Sequence, residues 1–331
     1  MTVLVLSHAG DVHATRVLGA LAARGRPAVL LDLAELPSSA TVSVDYDDPR
    51  RPTVTWRSDG AAPVVLTDAT AVWWRRPQHP RLDMISDPDA LGFTHGEWHE
   101  ALYGLYQLIE CPWMNDPLSD DRASRKALQL RVASRLGLRV PPTLMTSDPA
   151  DARRFVERLG VGNVIYKIFS ATHQVWRETR LVQPADLDEL DALRLAPVIF
   201  QEYIPAVADV RVTVVGRRMF PMAIRSRGTS YEVDFRVSLA EARTEPIELP
   251  SAVQTRLRHL VDELGLAYGA IDLRLTDDGE WVFLEINPAG EFLFCEAGAG
   301  FPLTDAVADW LAAPSRAQST DAVPAWSGCC G

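Results

Sequence analysis

Hydrophobic positions along the chain fall into short runs separated by polar punctuation, and their spacing changes from one segment to the next. TVLVLS (2–7) is a continuous apolar run of strand length, His13 to Arg24 has helical spacing, and AVLLDL (28–33) is a second apolar run. This β-α-β opening predicts a Rossmann-like N-terminal lobe. Residues 41–66 read as short strands punctuated by Pro and Asp, and Ala71 to Trp74 as a strand ending in Arg75-Arg76-Pro77. A helix is predicted over 94–109, CPWMNDP (111–117) reads as a loop, and Arg122 to Leu136 reads as a basic helix stopped by Gly137. Beyond LRVPPTLMT come a helix near 149–159, the strand NVIYKIFS (163–170), the polar stretch SATHQVWRET, an acidic helix over 184–193 and the strand APVIFQEYI (196–204). VRVTVVG and RMFPMAIR predict a hairpin around Gly216-Arg217, and SAVQTRLRHLVDELG (251–265) carries an apolar helical stripe with a Gly stop. A closing helix is expected at 303–312, followed by a Pro/Ser/Ala-rich tail that is expected to be disordered.

The segment AIDLRLTDDGEWVFLEINP (270–288) is the most informative. Asp278-Gly279 is the strongest short hairpin turn signal in the chain. A two-residue loop there pairs Asp277 with Glu280 and, counting outward, Asp272 with Glu285. Asn287 then lies on the same face, because strand side chains alternate. Leu273, Leu275, Val282, Leu284 and Ile286 are expected on the opposite, core-facing side. Directly opposed carboxylates destabilise a sheet. A hard cation would resolve this, since Mg²⁺ takes carboxylate and amide oxygens and shares them with substrate phosphates. The plainer alternative is a solvated edge hairpin, and a one-residue slip would move the acids out of line.

Composition narrows the function. The chain has 331 residues, 47% hydrophobic and 23% charged, which suits two or three soluble globular domains. No apolar run approaches the roughly 20 residues of a membrane span, and the opening segment suits a buried strand better than a signal peptide. Four scattered cysteines argue for a reducing, cytoplasmic setting. Cys111 and Cys295 are expected as buried thiols, and Cys329-Cys330, without nearby histidines, makes a poor zinc site. A formal net charge of −11 argues against nucleic acid and anionic membranes as partners, and an acidic substrate would need a local basic patch. SHAGDVHAT lacks G-x-G-x-x-G, which argues against an NAD site. No Ser-His-Asp constellation can be assembled.

Several other residues have chemistry of their own. Lys167 sits between apolar neighbours on one strand face, where a lysine either snorkels or pairs with an anion such as a nucleotide phosphate. Lys126 lies on a helix with Arg122, Arg125 and Arg131, whose default reading is a solvated basic face. QEYI (201–204) ends an apolar strand and could offer an adenine edge its backbone groups and the Glu202 carboxylate; a capped strand end is the equal alternative. Asp209 and Arg211 share a strand face, as an exposed ion pair would. Arg225, Arg227 and Arg236 surround the loop IRSRGTSYEVDFR, which could hold a carboxylate beside a γ-phosphate or be solvated.

In order, Lys126, Lys167, QEYI, Asp272 and Glu285-x-Asn287 resemble the ATP-grasp superfamily. WWRRP (73–77), WMNDP (113–117), K-x-x-Q-L-x-x-A-x-x-L-G-L-x-x-P-x-T-L (126–144), DVRVTVVG, VDFR (233–236) and LEINPAGEF (284–292) resemble a narrower group, the graspetide or microviridin-type maturases of ribosomally made peptides. The resemblance spans about residues 1–312 and implies an α/β and α+β architecture: a Rossmann-like pre-ATP-grasp domain over 1–117, a central lobe over 118–203, a C-terminal lobe over 204–312 and a tail over 313–331. It implies ATP and Mg²⁺ as cofactors. Lys126 and Lys167 would bind the α/β-phosphates, Glu202, Tyr203 and Ile204 the adenine, and Asp209 the ribose or its neighbours. Asp272, Glu285 and Asn287 would hold the metal, with Arg211, Arg225 and Arg236 around the carboxylate and the transferring phosphoryl group. The implied partner is a precursor peptide with a leader and an acidic, hydroxyl-rich core, joined through side-chain esters or amides by way of an acylphosphate. The alternative is an intermolecular ligase that adds an amino acid to a carboxylate. The resemblance leaves a homodimer open, although no interface signature stands in the sequence. The segment 170–182 falls where the family has a flexible hairpin over ATP and leader. The Cys-Cys tail has no family counterpart, and the arginine loop matches only in VDFR.

Overall fold

A strand that is apolar on both faces must be covered on both. Val3, Leu4, Val5 and Leu6 are all buried at the centre of a parallel sheet. The computed structural model describes residues 2–169 and 178–314. Its first part runs β1 (Thr2–Leu6), α1 (Val12–Ala23), β2 (Ala28–Leu31), β3 (Ala40–Asp45), β4 (Thr53–Ser58), β5 (Val64–Val65), β6 (Ala69–Trp74), α2 (Pro88–Tyr106), β7 (Trp113–Met114), α3 (Pro117–Ser124) and α4 (Lys126–Arg135). The middle holds β8 (Thr143–Thr146), α5 (Pro149–Leu159), β9 (Val164–Lys167), β10 (Arg180–Leu181) and β11 (Val198–Glu202). The rest is β12 (Ala208–Val215), β13 (Arg218–Arg225), α6 (Phe235–Ser238), β14 (Arg243–Pro246), α7 (Ser251–Glu263), β15 (Tyr268–Leu275), β16 (Trp281–Asn287), α8 (Leu293–Ala299) and α9 (Leu303–Ala312).

The first sheet has the order β2-β1-β6-β7, all parallel. Alternation sends Val3, Val5 and Trp73 towards Val17 and Leu21 of α1 and Val307 of α9. Leu4, Leu6 and Val72 face Leu102, Leu105 and Tyr106 of α2. The second sheet, β10-β9-β11-β8, is antiparallel and packs Val164 and Phe200 on Phe155 and Val156 of α5. Asp148 caps that helix through the Ala150 N–H at 2.7 Å, with Pro149 in its first turn. The third sheet, β14-β13-β12-β15-β16, buries Val210, Val212, Ile271 and Phe283 against Leu257 and Leu260 of α7 and Val132 of α4. The β12–β13 hairpin turns at Gly216-Arg217 as predicted, with Val215 opposite Arg218.

Four expectations need correction. CPWMNDP is not all loop, because Trp113–Met114 adds a fourth parallel strand beside β6. The second helix starts at Pro88, capped by the Asp87 carboxylate on the Ala90 N–H, and ends at Tyr106. The acidic stretch makes two 3-10 turns, Pro184–Leu187 and Leu190–Arg194. Asp186, Asp188, Glu189 and Asp191 repel one another along one α-helix, and aspartate is a poor helix former. The Arg122–Leu136 helix is broken at Arg125, whose extended backbone (ψ 101°) separates α3 from α4. Residues 170–177 of the expected hairpin, and 315–331 of the tail with Cys329-Cys330, lie outside the described residues. Among the described residues no helix is long and apolar enough to cross a membrane.

Candidate functional site

Asp272 does stand opposite Glu285, by a route the sequence does not disclose. The loop spans three residues, since Thr276 N–H donates to the Glu280 carbonyl at 3.0 Å, and Gly279 takes φ +84°. Leu275 therefore pairs with Trp281 and Leu273 with Phe283, one step off the predicted register. A bulge between Asp272 and Leu273 restores the offset, so Asp272 faces Glu285 and Ala270 faces Asn287. The predicted apolar face is corrected accordingly. Phe283 packs in the core with Ile271, Leu273 and Ile286, whereas Leu284 turns to the cleft beside Glu285.

The two acids meet a ring of cations. The break at Arg125 puts Lys126 at the start of α4, where its Nζ lies 2.5 Å from Glu285 Oε2. One turn on, buried Gln129 donates Nε2–H to the Ile286 carbonyl at 2.8 Å and accepts the Ile286 N–H at 3.1 Å, fixing the helix on β16. Lys167, from β9, lies 3.8 Å from the same Glu285 oxygen. Arg211, from β12, grips Asp272 with Nε at 2.6 Å and Nη2 at 3.3 Å, and its Nη1 donates to the Glu291 carbonyl. Phe235 and Phe294 flank its guanidinium. Burial pushes the Glu285 carboxyl up, but Lys126 and Lys167 outweigh it and hold the group well below the usual carboxylate range. At Asp272 burial dominates over Arg211 and the pKa is raised. Burial likewise lowers Lys167 despite Glu285 beside it.

Lys167, Glu202, Ile204, Asp234, Arg236 and Glu285 line one cleft between the second and third sheets. The Arg236 guanidinium pairs with Asp234 at 2.6 and 2.8 Å. Asp234 in turn accepts the Thr179 N–H at 3.0 Å, which ties the loop after β13 to the segment before β10. At the other end, the Tyr203 N–H is taken by the Asn163 carbonyl and the Ile204 carbonyl by Arg274. The half-buried Glu202 lines the cleft at this end. Asp209 lines the cleft but is buried and paired with Arg274 Nε at 2.8 Å. Arg225 stands outside, paired with Glu245 at 2.7 Å on the β13–β14 edge. Asn287 sits at the exposed end of β16, its Oδ1 accepting the Ala289 N–H at 3.0 Å.

Arg274 is a residue the sequence reading missed. Besides Asp209 and Ile204, it donates to the carbonyls of Glu232 and Val233 at 3.2 and 3.0 Å and lies over the Tyr203 ring. The signal was available, since Arg274 is two residues beyond Asp272 and so on the same face.

The donor set fits a hard divalent cation that completes its shell with other oxygens. Two opposed carboxylates and an amide share one strand-pair face, and among the described residues no group of three His, Cys, Asp or Glu forms a closed metal cage. Lys126, Lys167, Arg211, Arg236 and Arg274 stand against Glu202, Asp209, Asp234, Asp272 and Glu285, so the site matches cation to acid within an acidic protein.

Comparison with known proteins matches residues 2–122 to the MvdD pre-ATP grasp domain and 123–311 to the RimK-like ATP-grasp domain. The structure resembles the macrocyclase MdnC bound with precursor peptide MdnA from Microcystis aeruginosa MRC, at TM-score 0.83 and 30% identity over 94% of this chain and 99% of that one. It resembles a Chryseobacterium gregarium RiPP-associated ATP-grasp ligase in complex with ADP, a leader and a core peptide, at TM-score 0.82 and 27% identity over 94% and 96%. It also resembles the ATP-grasp ligase PsnB complexed with minimal precursor, Mg and ADP, at TM-score 0.76 and 26% identity over 94% and 96%. A probable alpha-L-glutamate ligase of Aliivibrio salmonicida (strain LFI1238) is 25% identical over 222 residues, 64% of this chain and 70% of the relative.

Proposed function

The chain belongs to the RimK-like ATP-grasp ligases, and from that premise we propose that it is an ATP- and Mg²⁺-dependent macrocyclase of a ribosomally made precursor peptide. The observation that carries this reading is the cation ring around the opposed Asp272–Glu285 pair, in a chain that resembles a peptide-bound macrocyclase and a peptide-bound RiPP-associated ATP-grasp ligase along nearly its whole length. We take 1–117, 118–203 and 204–312 as the N-terminal domain and the two clasping lobes.

Lys126 and Lys167 would neutralise the α/β-phosphates, releasing Glu285 to the cation. Glu202, with the 203–204 linker, would meet the adenine. Asp209 acts through Arg274 on the ribose end of the pocket rather than by direct contact. Asp272, Glu285 and Asn287 would hold Mg²⁺, which would supply positive charge to offset that of the phosphates. Arg236 faces the cleft where a peptide carboxylate would approach the γ-phosphate, and neutralises the repulsion between them. Arg211 fixes Asp272. A carboxylate oxygen of a substrate Asp or Glu attacks the γ-phosphorus, and the bond to the ADP oxygen breaks with its electron pair leaving on ADP. A hydroxyl or amine of the same peptide then attacks the acyl carbon, loses its proton and expels phosphate. Docking both groups on one chain supplies effective molarity.

Intact mass of a genome-neighbouring peptide rich in Thr, Ser, Asp and Glu, incubated with the protein, ATP and Mg²⁺, tests this. Successive losses of one water mass, absent without ATP, are expected. A gain of one amino-acid mass would instead establish an intermolecular ligase, and a 25%-identical relative is named a probable alpha-L-glutamate ligase.

A further inference from the structure

The turn leaving the metal hairpin is held by the N-terminal domain at several of its polar groups. Residues 288–293 follow directly on Asn287. Asn115, buried, donates Nδ2–H to the carbonyls of Pro288 and Tyr268, both at 3.0 Å, and its Oδ1 accepts the N–H groups of Ala267 and Tyr268 at 2.7 and 2.9 Å. Arg75 Nη1 donates to the carbonyls of Ala289 and Gly290 at 2.5 and 2.9 Å. Arg76 Nε donates to the same Ala289 carbonyl at 3.1 Å, and its Nη1 reaches Glu291 at 3.0 Å. His13 Nε2 accepts the N–H groups of Phe292 and Leu293 at 3.2 and 3.4 Å. Asp11 lies 3.3 Å from Arg75 Nε and 3.4 Å from His13 Nδ1, so one buried carboxylate sets its charge beside both.

Ala289 is the link to the chemistry. Its N–H donates to Asn287 Oδ1, the oxygen a cation would take, while its carbonyl receives both arginines. Two adjacent guanidiniums repel, and Arg75 is only 1% exposed, so aiming both at one carbonyl carries a desolvation cost that domain docking through apolar contacts would not require. We infer that Arg75 and Arg76 are positioning residues for the cation site, setting the Asn287 amide oxygen through the Ala289 peptide, and that His13 supports them by fixing the Phe292–Leu293 end of the same turn, all from outside the two nucleotide-clasping lobes. This rests on the Mg²⁺–nucleotide reading of the hairpin and extends it to the WWRRP and His13 segments. Partners that orient a metal ligand typically alter metal affinity by 10–100-fold when lost.

The test is calorimetric ADP binding by the full chain, without peptide, across a Mg²⁺ titration. In Arg76→Ala and His13→Ala the Mg²⁺ concentration giving half-maximal tightening is expected to rise about 10-fold. ADP affinity in chelator should stay at the wild-type level, melting should remain cooperative, and Arg76→Lys, which keeps the charge on a single donor nitrogen, should fall between. Wild-type Mg²⁺ dependence in both alanine variants, with cooperative melting intact, would overturn the positioning role while leaving the ligase reading in place. Wild-type protein whose ADP binding ignores Mg²⁺ would overturn both.

Discussion

The two faces of the β14-β13-β12-β15-β16 sheet are made from alternate residues of the same strands and follow opposite rules. One face carries Val210, Val212, Ile271, Leu273 and Phe283, packed on α4 and α7. The other carries Asp209, Arg211, Asp272, Arg274 and Glu285. Apolar burial contributes about 25 cal/mol per Å² whatever the local geometry. A buried ion pair recovers little beyond its own desolvation. The charged face is therefore not what holds the sheet together. It persists because a triphosphate and a cation need charges already in position, and the apolar face supplies the stability that makes this tolerable.

Substitutions on the two faces should separate chemistry from stability. Glu285→Gln keeps the shape but removes the charge that two lysines and a cation share. ATP turnover should fall by about 100-fold or more, with the melting transition retained; near-normal phosphate release would detach the charged face from catalysis. Phe283→Ala, one bulge away, should cost about 3–5 kcal/mol of unfolding free energy by denaturant titration. A loss of well under 1 kcal/mol would mean the face is not the core described.

The Asp209–Arg274 pair gives a finer contrast. Arg274→Met leaves a buried carboxylate without its cation and should destabilise by about 3–5 kcal/mol. Asp209→Leu combined with Arg274→Met should recover most of that stability, yet not nucleotide affinity, because the carbonyls of Ile204, Glu232 and Val233 lose their common donor. Recovery of both would reduce the pair to scaffolding.

Asp120 shows what a buried carboxylate does without such a partner. Its Oδ1 is buried with no hydrogen bond, and burial, with Asp121 and Asp116 nearby, raises its pKa to about 7. The folded pKa lies above the unfolded value near 4, so the folded state holds the proton more tightly. Stability should decline as pH rises from about 4 and level off above about 7, and Asp120→Asn should flatten that decline. An unchanged pH profile in Asp120→Asn would assign the slope elsewhere.

What was legible in the sequence was local or periodic. Uninterrupted burial marked β1, helical spacing marked α7, and alternation put Asp272 and Asn287 on one face. The Asp272–Glu285 pairing was reached through two departures that cancel, a three-residue loop and a bulge, and turn chemistry alone distinguishes neither. The break at Arg125 has no capping residue or Gly to announce it, and Gln129, which holds α4 on β16, has its partner 157 residues away. Arg225 and Arg236 stood in one basic run, with Arg236 alone inside the VDFR motif, and the structure sends the first to Glu245 and the second to the cleft. The roles of Asn115, Arg75 and His13 depend on partners 150 residues or more away, which no window along the chain can contain.

The most direct test follows oxygen. A substrate peptide whose Asp and Glu carboxylates are enriched in heavy oxygen should, during crosslinking, pass one labelled oxygen to each phosphate released, because the carboxylate attacks the γ-phosphorus before the hydroxyl or amine arrives. Mass analysis of that phosphate decides the matter. One label per crosslink is the predicted result, and unlabelled phosphate alongside crosslinked peptide would contradict carboxylate phosphorylation in this cleft.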